Sequence, residues 1–123
     1  MPVFTRIRDD VLHVVVDGDY TSDELCRKGA EALESAEPSP IPVLLDMSGA
    51  AGLHRRSPED LRDTSDFFAK RRALVTRVAI VAPNALAFGL MNMGSVYAES
   101  SGLEARPFST KSEALEWLAR RTP

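Results

Sequence analysis

The sequence predicts a single α/β domain in the order ββαβαβαβα, with a mostly parallel sheet of four to five strands opened by an antiparallel hairpin. Three observations predict it. The first two apolar segments, "VFTRIR" and "VLHVVVDG", are separated only by Asp9-Asp10 and read as a β-hairpin. After them, short apolar runs of strand length alternate with helical stretches, the pattern of βαβ units with right-handed crossovers. The runs "VLLDMS" and "RVAIVAP" are apolar on both faces, which suits strands buried on both sides.

The elements follow in order. Val3–Arg8 alternates apolar and polar, and Val11–Gly18 carries Val14-Val15-Val16, which places the second strand inside the sheet. "TSDELCRKGAEALESAE" (Thr21–Glu37) is the first helix; Thr21 and Glu24 have capping-box spacing, and Leu25, Gly29, Ala32, Leu33 and Ala36 form its inward stripe. "PSPIP" ends it. Val43–Ser48 is the third strand, and "GAAGLHRR" is the loop after it. "SPEDLRDTSDFFAKRRAL" (Ser57–Leu74) is the second helix. Ser57 stands at the N-cap and Pro58 at the first helical position, with acids at the start and bases at the end to suit the helix dipole. Arg77–Pro83 is the fourth strand, and Asn84 to about Ser100 the third helix. Leu103–Phe108 is the fifth strand; Pro107 removes a ladder donor, so this strand belongs at an edge or ends there. Thr110–Arg121 is the last helix, with a second capping box at Thr110 and Glu113 and an inward stripe of Leu115, Leu118 and Ala119 flanked by Trp117.

Bulk properties narrow the function classes. The chain has 123 residues, 44% hydrophobic and 27% charged, an ordinary globular composition. At this length a domain buries roughly two thirds of its unfolded surface and needs no metal or disulfide to fold. A net charge of −3 argues against a nucleic-acid partner. The single cysteine, Cys26, excludes an internal disulfide and a multi-cysteine metal site. The start "MPVFTRIRDD" lacks the apolar core of a signal peptide, and no apolar run approaches the roughly 18 to 20 residues of a membrane span. A cytoplasmic setting is expected.

This element order, together with "VLLDMSGAAGL" and "RVAIVAPNALAFGLMNM…AESSGLEARPFSTKSEALEWL", resembles the STAS domain family, in particular its SpoIIAA-like branch, relatives of the anti-sigma factor antagonists. The resemblance covers nearly the whole chain. It implies helices packed largely on one side of the sheet, and a regulatory or protein-interaction module without catalytic activity. Some SpoIIAA-like proteins are named alongside lipid-binding Sec14-type domains, which implies an apolar ligand as the alternative. In the antagonists, a serine in an Asp-Ser-Ser-Gly turn at a helix start is a phosphorylation switch. The corresponding stretch here is "HRRS": His54, Arg55 and Arg56 replace the acid and the serines, and only Ser57 keeps a hydroxyl. A phosphate on Ser57 beside Arg55 and Arg56 would be electrostatically favourable. The competing reading is a capping serine beside solvated arginines.

The remaining constellations carry little chemistry. His13 and His54 have no carboxylate at ligand spacing, so no metal site and no cofactor are expected. His13 reads as an exposed or partly paired strand position. Asp46, Ser48 and His54 lie close in sequence at a strand's C-terminal end, but no nucleophile-elbow sequence surrounds Ser48. Asp46 is expected to accept amides of its own turn. "SGAAG" with Arg55 and Arg56 could hold an anion near the second helix, although both dinucleotide and P-loop spacings are missing.

The third helix, "NALAFGLMNMGSVYAESSG", is apolar enough for two stripes. At 100° per residue, Leu90, Met93 and Tyr97 fall within about 40° of Leu86, and the four are expected to form the core stripe. Ala87, Ala98, Met91 and Phe88 then fall at roughly 100°, 120°, 140° and 200°, facing away from it. Phe88 and Met91, with Phe67 and Phe68 on the second helix, are the expected partner or ligand surface. It would be covered by a neighbouring element, serve as a homodimer or partner-protein interface, or line an apolar pocket between the second and third helices.

Overall fold

The computed structural model describes residues 2–52 and 57–120. The chain forms β1 (Val3–Arg8), β2 (Val11–Gly18), α1 (Ser22–Ser35), β3 (Ile41–Ala50), α2 (Pro58–Lys70), β4 (Val75–Val81), α3 (Ala85–Ser100), β5 (Ala105–Phe108) and α4 (Lys111–Ala119). One five-stranded sheet runs in the order β1-β2-β3-β4-β5. The β1–β2 pair is antiparallel and the other pairs are parallel.

The local signals explain the boundaries. Asp9 and Asp10 take φ values of 53° and 62°, and Arg8 pairs with Val11 across them. Two left-handed residues in a two-residue loop match the twist of a hairpin, and aspartate tolerates this region better than most side chains. Thr21, Ser57, Asn84 and Thr110 each cap a helix by accepting the backbone N–H three residues on. β3 is longer than expected, because Gly49 and Ala50 continue the ladder opposite Asp17 and Gly18. Pro107 lies in β5, at the sheet edge, where a missing N–H costs no ladder bond.

The strand order dictates where the helices go. Each of the three crossovers steps to the next strand in the same direction, and each is right-handed by rule, so α1, α2 and α3 share one face. Their core contains Leu12, Val14, Val43, Leu45, Val78 and Ile80 from the sheet. α4 follows the last strand, has no crossover to make, and lies on the opposite face. There Ala114, Trp117 and Leu118 pack on Leu44, Ala79 and Val81. The inward residues of α4 thus differ from the expected stripe: Trp117 is central, Leu115 is only partly buried and Ala119 is exposed.

α3 reverses the expected orientation. Its buried residues are Ala87, Met91, Ser95 and Ala98, whereas Leu86 is 63% exposed and Met93 43% exposed. Leu90 and Tyr97 are half-buried. The cause is size. α3 crosses α2 so closely that a Cβ added at Gly94 would stand 3.3 Å from Ser65 Oγ. Small side chains and Met91 fit on that side, and Leu86, Met93 and Val96 are left outside. Two further expectations change with it. Phe67 and Phe68 are both buried, in edge-to-face contact at 5.0 Å, so neither is spare. Phe67 fills the space against Gly29 of α1, where an added Cβ would meet its ring at 3.2 Å.

Candidate functional site

Three regions hold the residues singled out from the sequence. The first is the end of β3. Asp46 is buried, and its Oδ1 accepts the Ser48 backbone N–H at 3.0 Å and the Ser48 hydroxyl at 2.6 Å. The aspartate therefore closes its own turn, as expected. The Ser48 hydroxyl donates to a carboxylate rather than to an imidazole, so it is not arranged as an activated nucleophile. Ser57 caps α2, its Oγ accepting the Asp60 N–H at 3.2 Å. His54, Arg55 and Arg56, the rest of the expected anion or phosphate site, lie outside the described residues.

The second region is the α2–α3 crossing. Ser65 Oγ lies 2.9 Å from the Leu61 carbonyl oxygen on its own helix and 2.9 Å from the Gly94 carbonyl oxygen on α3. Beneath this contact is a cavity of about 50 Å³, bounded by Phe68 and Leu61 of α2, Met91 and Ala98 of α3, and Met47 and Ile80 of the sheet. An apolar pocket between these helices is one of the three alternatives the sequence offers; of the four residues named for it, Met91 and Phe68 line this cavity and Phe67 and Phe88 do not. Its volume admits one small group; ligand pockets for drug-sized molecules run to ~300 Å³ and above.

The third region is the outer surface of α3. Leu86, Met93 and Val96 are 63%, 43% and 58% exposed. On the helix wheel they fall within about 80° of one another, with Gly89 between them. A Cβ added at Gly89 would meet nothing within 4 Å, so the backbone there is open to an approaching surface. From Ala85 to Ala98 the helix carries no charged side chain. On the side toward α2, Arg62 stacks over Tyr97 at 4.9 Å and covers part of the stripe. Phe88 is 37% exposed but lies some 80° beyond Val96, on the other flank of the same helix. Sequence periodicity identified the helix and its surplus apolar surface, and assigned that surplus to the wrong side.

Two titratable side chains stand apart. Cys26 is half-buried on α1, and burial raises its thiol pKa, which disfavours the reactive thiolate. His13 is 4% exposed, yet its Nδ1 has no hydrogen-bond partner. Burial, then Lys111, Arg6 and Arg8 lower its pKa, while Asp46 acts the other way. His13 is therefore buried rather than exposed, and an orphaned buried polar atom such as its Nδ1 costs about 1–3 kcal/mol.

No family model and no curated protein matches the chain. One solved structure does: an uncharacterized protein of the DUF3478 family from Shewanella loihica PV-4, described as having a SpoIIAA-like fold. It is 20% identical, superposes with a TM-score of 0.59, and the match covers 95% of this chain and 92% of that one. At that identity the likeness speaks for the fold alone. Together with the hairpin, the unbroken strand order and the helix arrangement, it shows that this chain has a SpoIIAA-like fold.

Proposed function

We propose that the chain is a non-enzymatic interaction module that pairs with a second copy of itself through the outer face of α3. The observation that carries this reading is the uncharged stripe of Leu86, Met93 and Val96 around Gly89. A two-fold axis sets a patch against itself, so like charges on the patch would repel; this one has none to repel. Gly89 lets two helices approach closely, and Met93 adapts to an irregular partner surface. Among the described residues no helix is long and apolar enough to cross a membrane, so a bilayer span is not the cover for this stripe. The cytoplasmic setting belongs to the same proposal. Sedimentation velocity tests it. The wild-type chain should sediment as a dimer and Leu86→Asp as a folded monomer. A monomeric wild type, or a Leu86→Asp protein that stays dimeric, would overturn it.

The second reading is a carrier of a small apolar molecule, and the cavity beneath the α2–α3 crossing favours it. Its volume of about 50 Å³ requires the pocket to widen several-fold, with Met47 and Met91 as the adaptable side chains in its wall. Native mass spectrometry of freshly purified protein should then show a bound apolar mass; consistently unliganded protein counts against it.

A further inference from the structure

The two faces of the sheet are covered unequally. α4 packs on β3, β4 and β5, and at the far end of its face the β1 side chains Phe4 and Arg6 are left bare. Leu12, Val14 and Val16 point into the core beneath α1–α3, so the strand alternation turns His13 and Val15 toward the bare side. The hairpin register sets Phe4 beside Val15 and Arg6 beside His13 on that side. Phe4 is 53% exposed, Arg6 and Arg8 are exposed, and Val15 is half-buried. Phe4, Thr5, Arg6 and Val15 line a concavity of about 260 Å³. His13, beside Arg6 in the register, lies next to this concavity rather than in its wall; it is buried, and its unpartnered Nδ1 is closed to solvent.

The charge here runs against that of the whole chain, which is −3. Arg6 and Arg8 on β1 and Lys111 at the start of α4 all act on His13. The acid that faces it, Asp46 of β3, is already engaged by the Ser48 amide and hydroxyl. An exposed arginine with no acid paired to it among the described residues, a lysine nearby and an adjoining apolar hollow together describe one kind of ligand. We propose that this half-face binds a small organic anion with an apolar body, its anionic group held by Arg6 with Lys111 nearby, and its body lying on Phe4 and Val15 above the buried His13. A guanidinium suits either a carboxylate or a phosphate, since both accept its forked pair of N–H groups. Arg6 is exposed and free to turn onto an arriving anion. The added negative charge beside the imidazole then raises its pKa from its lowered value.

Titration of the isotopically labelled full chain with benzoate, phenyl phosphate and inorganic phosphate tests this by NMR. Benzoate or phenyl phosphate should shift the Phe4, His13 and Val15 resonances saturably and raise the His13 titration midpoint. The stronger of the two identifies the anionic group. Arg6→Gln should weaken binding about tenfold, and Arg27→Gln, an exposed change on α1 across the sheet, should leave it unchanged. The proposal is overturned if neither organic anion gives saturable shifts up to about 20 mM, well above the ~1 mM of a weak site. It is equally overturned if inorganic phosphate binds as tightly as phenyl phosphate, or if Arg6→Gln matches wild type.

Discussion

α2 and α3 lie side by side on the same face of the same sheet, yet they are turned toward it by different means. α2 has charged residues on one side and Leu61, Phe67 and Phe68 on the other, so polarity alone turns it. α3 is apolar nearly all round. It is oriented mainly by size: Ala87, Gly94, Ser95 and Ala98 fit the narrow space against α2 and the sheet, with Met91 the one large side chain among them, whereas Leu86, Met93 and Val96 lie outside. A helix without a polar face is placed by the volume its neighbours leave, and its bulky residues become surface.

The contrast can be broken from either helix. The largest effect is expected at the aromatic anchor of α2. Phe68→Ala removes a buried ring from the cavity wall and should cost about 3–5 kcal/mol in urea unfolding. A loss below about 1 kcal/mol would mean that the wall collapses around the change. Next come two glycines of α3 that look equivalent in sequence. Gly94→Val pushes a branched side chain into Ser65 and should destabilise by about 1–3 kcal/mol. Gly89→Ala enters open space within a helix and should stabilise by roughly 0.5–1 kcal/mol. Opposite signs in thermal melts would establish which side of α3 faces inward; equal signs would refute the orientation. The smallest effect on stability belongs to Leu86→Asp, within about 0.5 kcal/mol of wild type as an exposed change. Its consequence should fall on association instead.

Much of the fold was legible because local chemistry and global topology agreed. The caps at Thr21, Ser57 and Thr110, the hairpin turn at Asp9-Asp10, the interior position of β2 and the edge position of Pro107 each follow from short-range rules. The candidate sites were less legible, for two physical reasons. The periodicity of α3 reveals two stripes but is silent about their spacing from α2, which Ser65 and Gly94 set across 29 residues of chain. His13 has the alternation of a half-exposed strand residue, but the charges that act on it come from Arg6 on the preceding strand and from Lys111, almost a hundred residues later. Neither relation is written in any local window.

The unbroken strand order has a consequence for how the molecule comes into being. Every strand pairs with the one just before it in the chain, so none must be threaded between two already in place. Pairing of this kind keeps contacting segments near in sequence, which shortens the loops that must close and favours rapid assembly. On a ribosome the hairpin emerges first, and each later strand arrives at a growing edge with its crossover helix already synthesised. The sheet can thus be laid down in the order in which it is translated, with β5 and α4 closing it last.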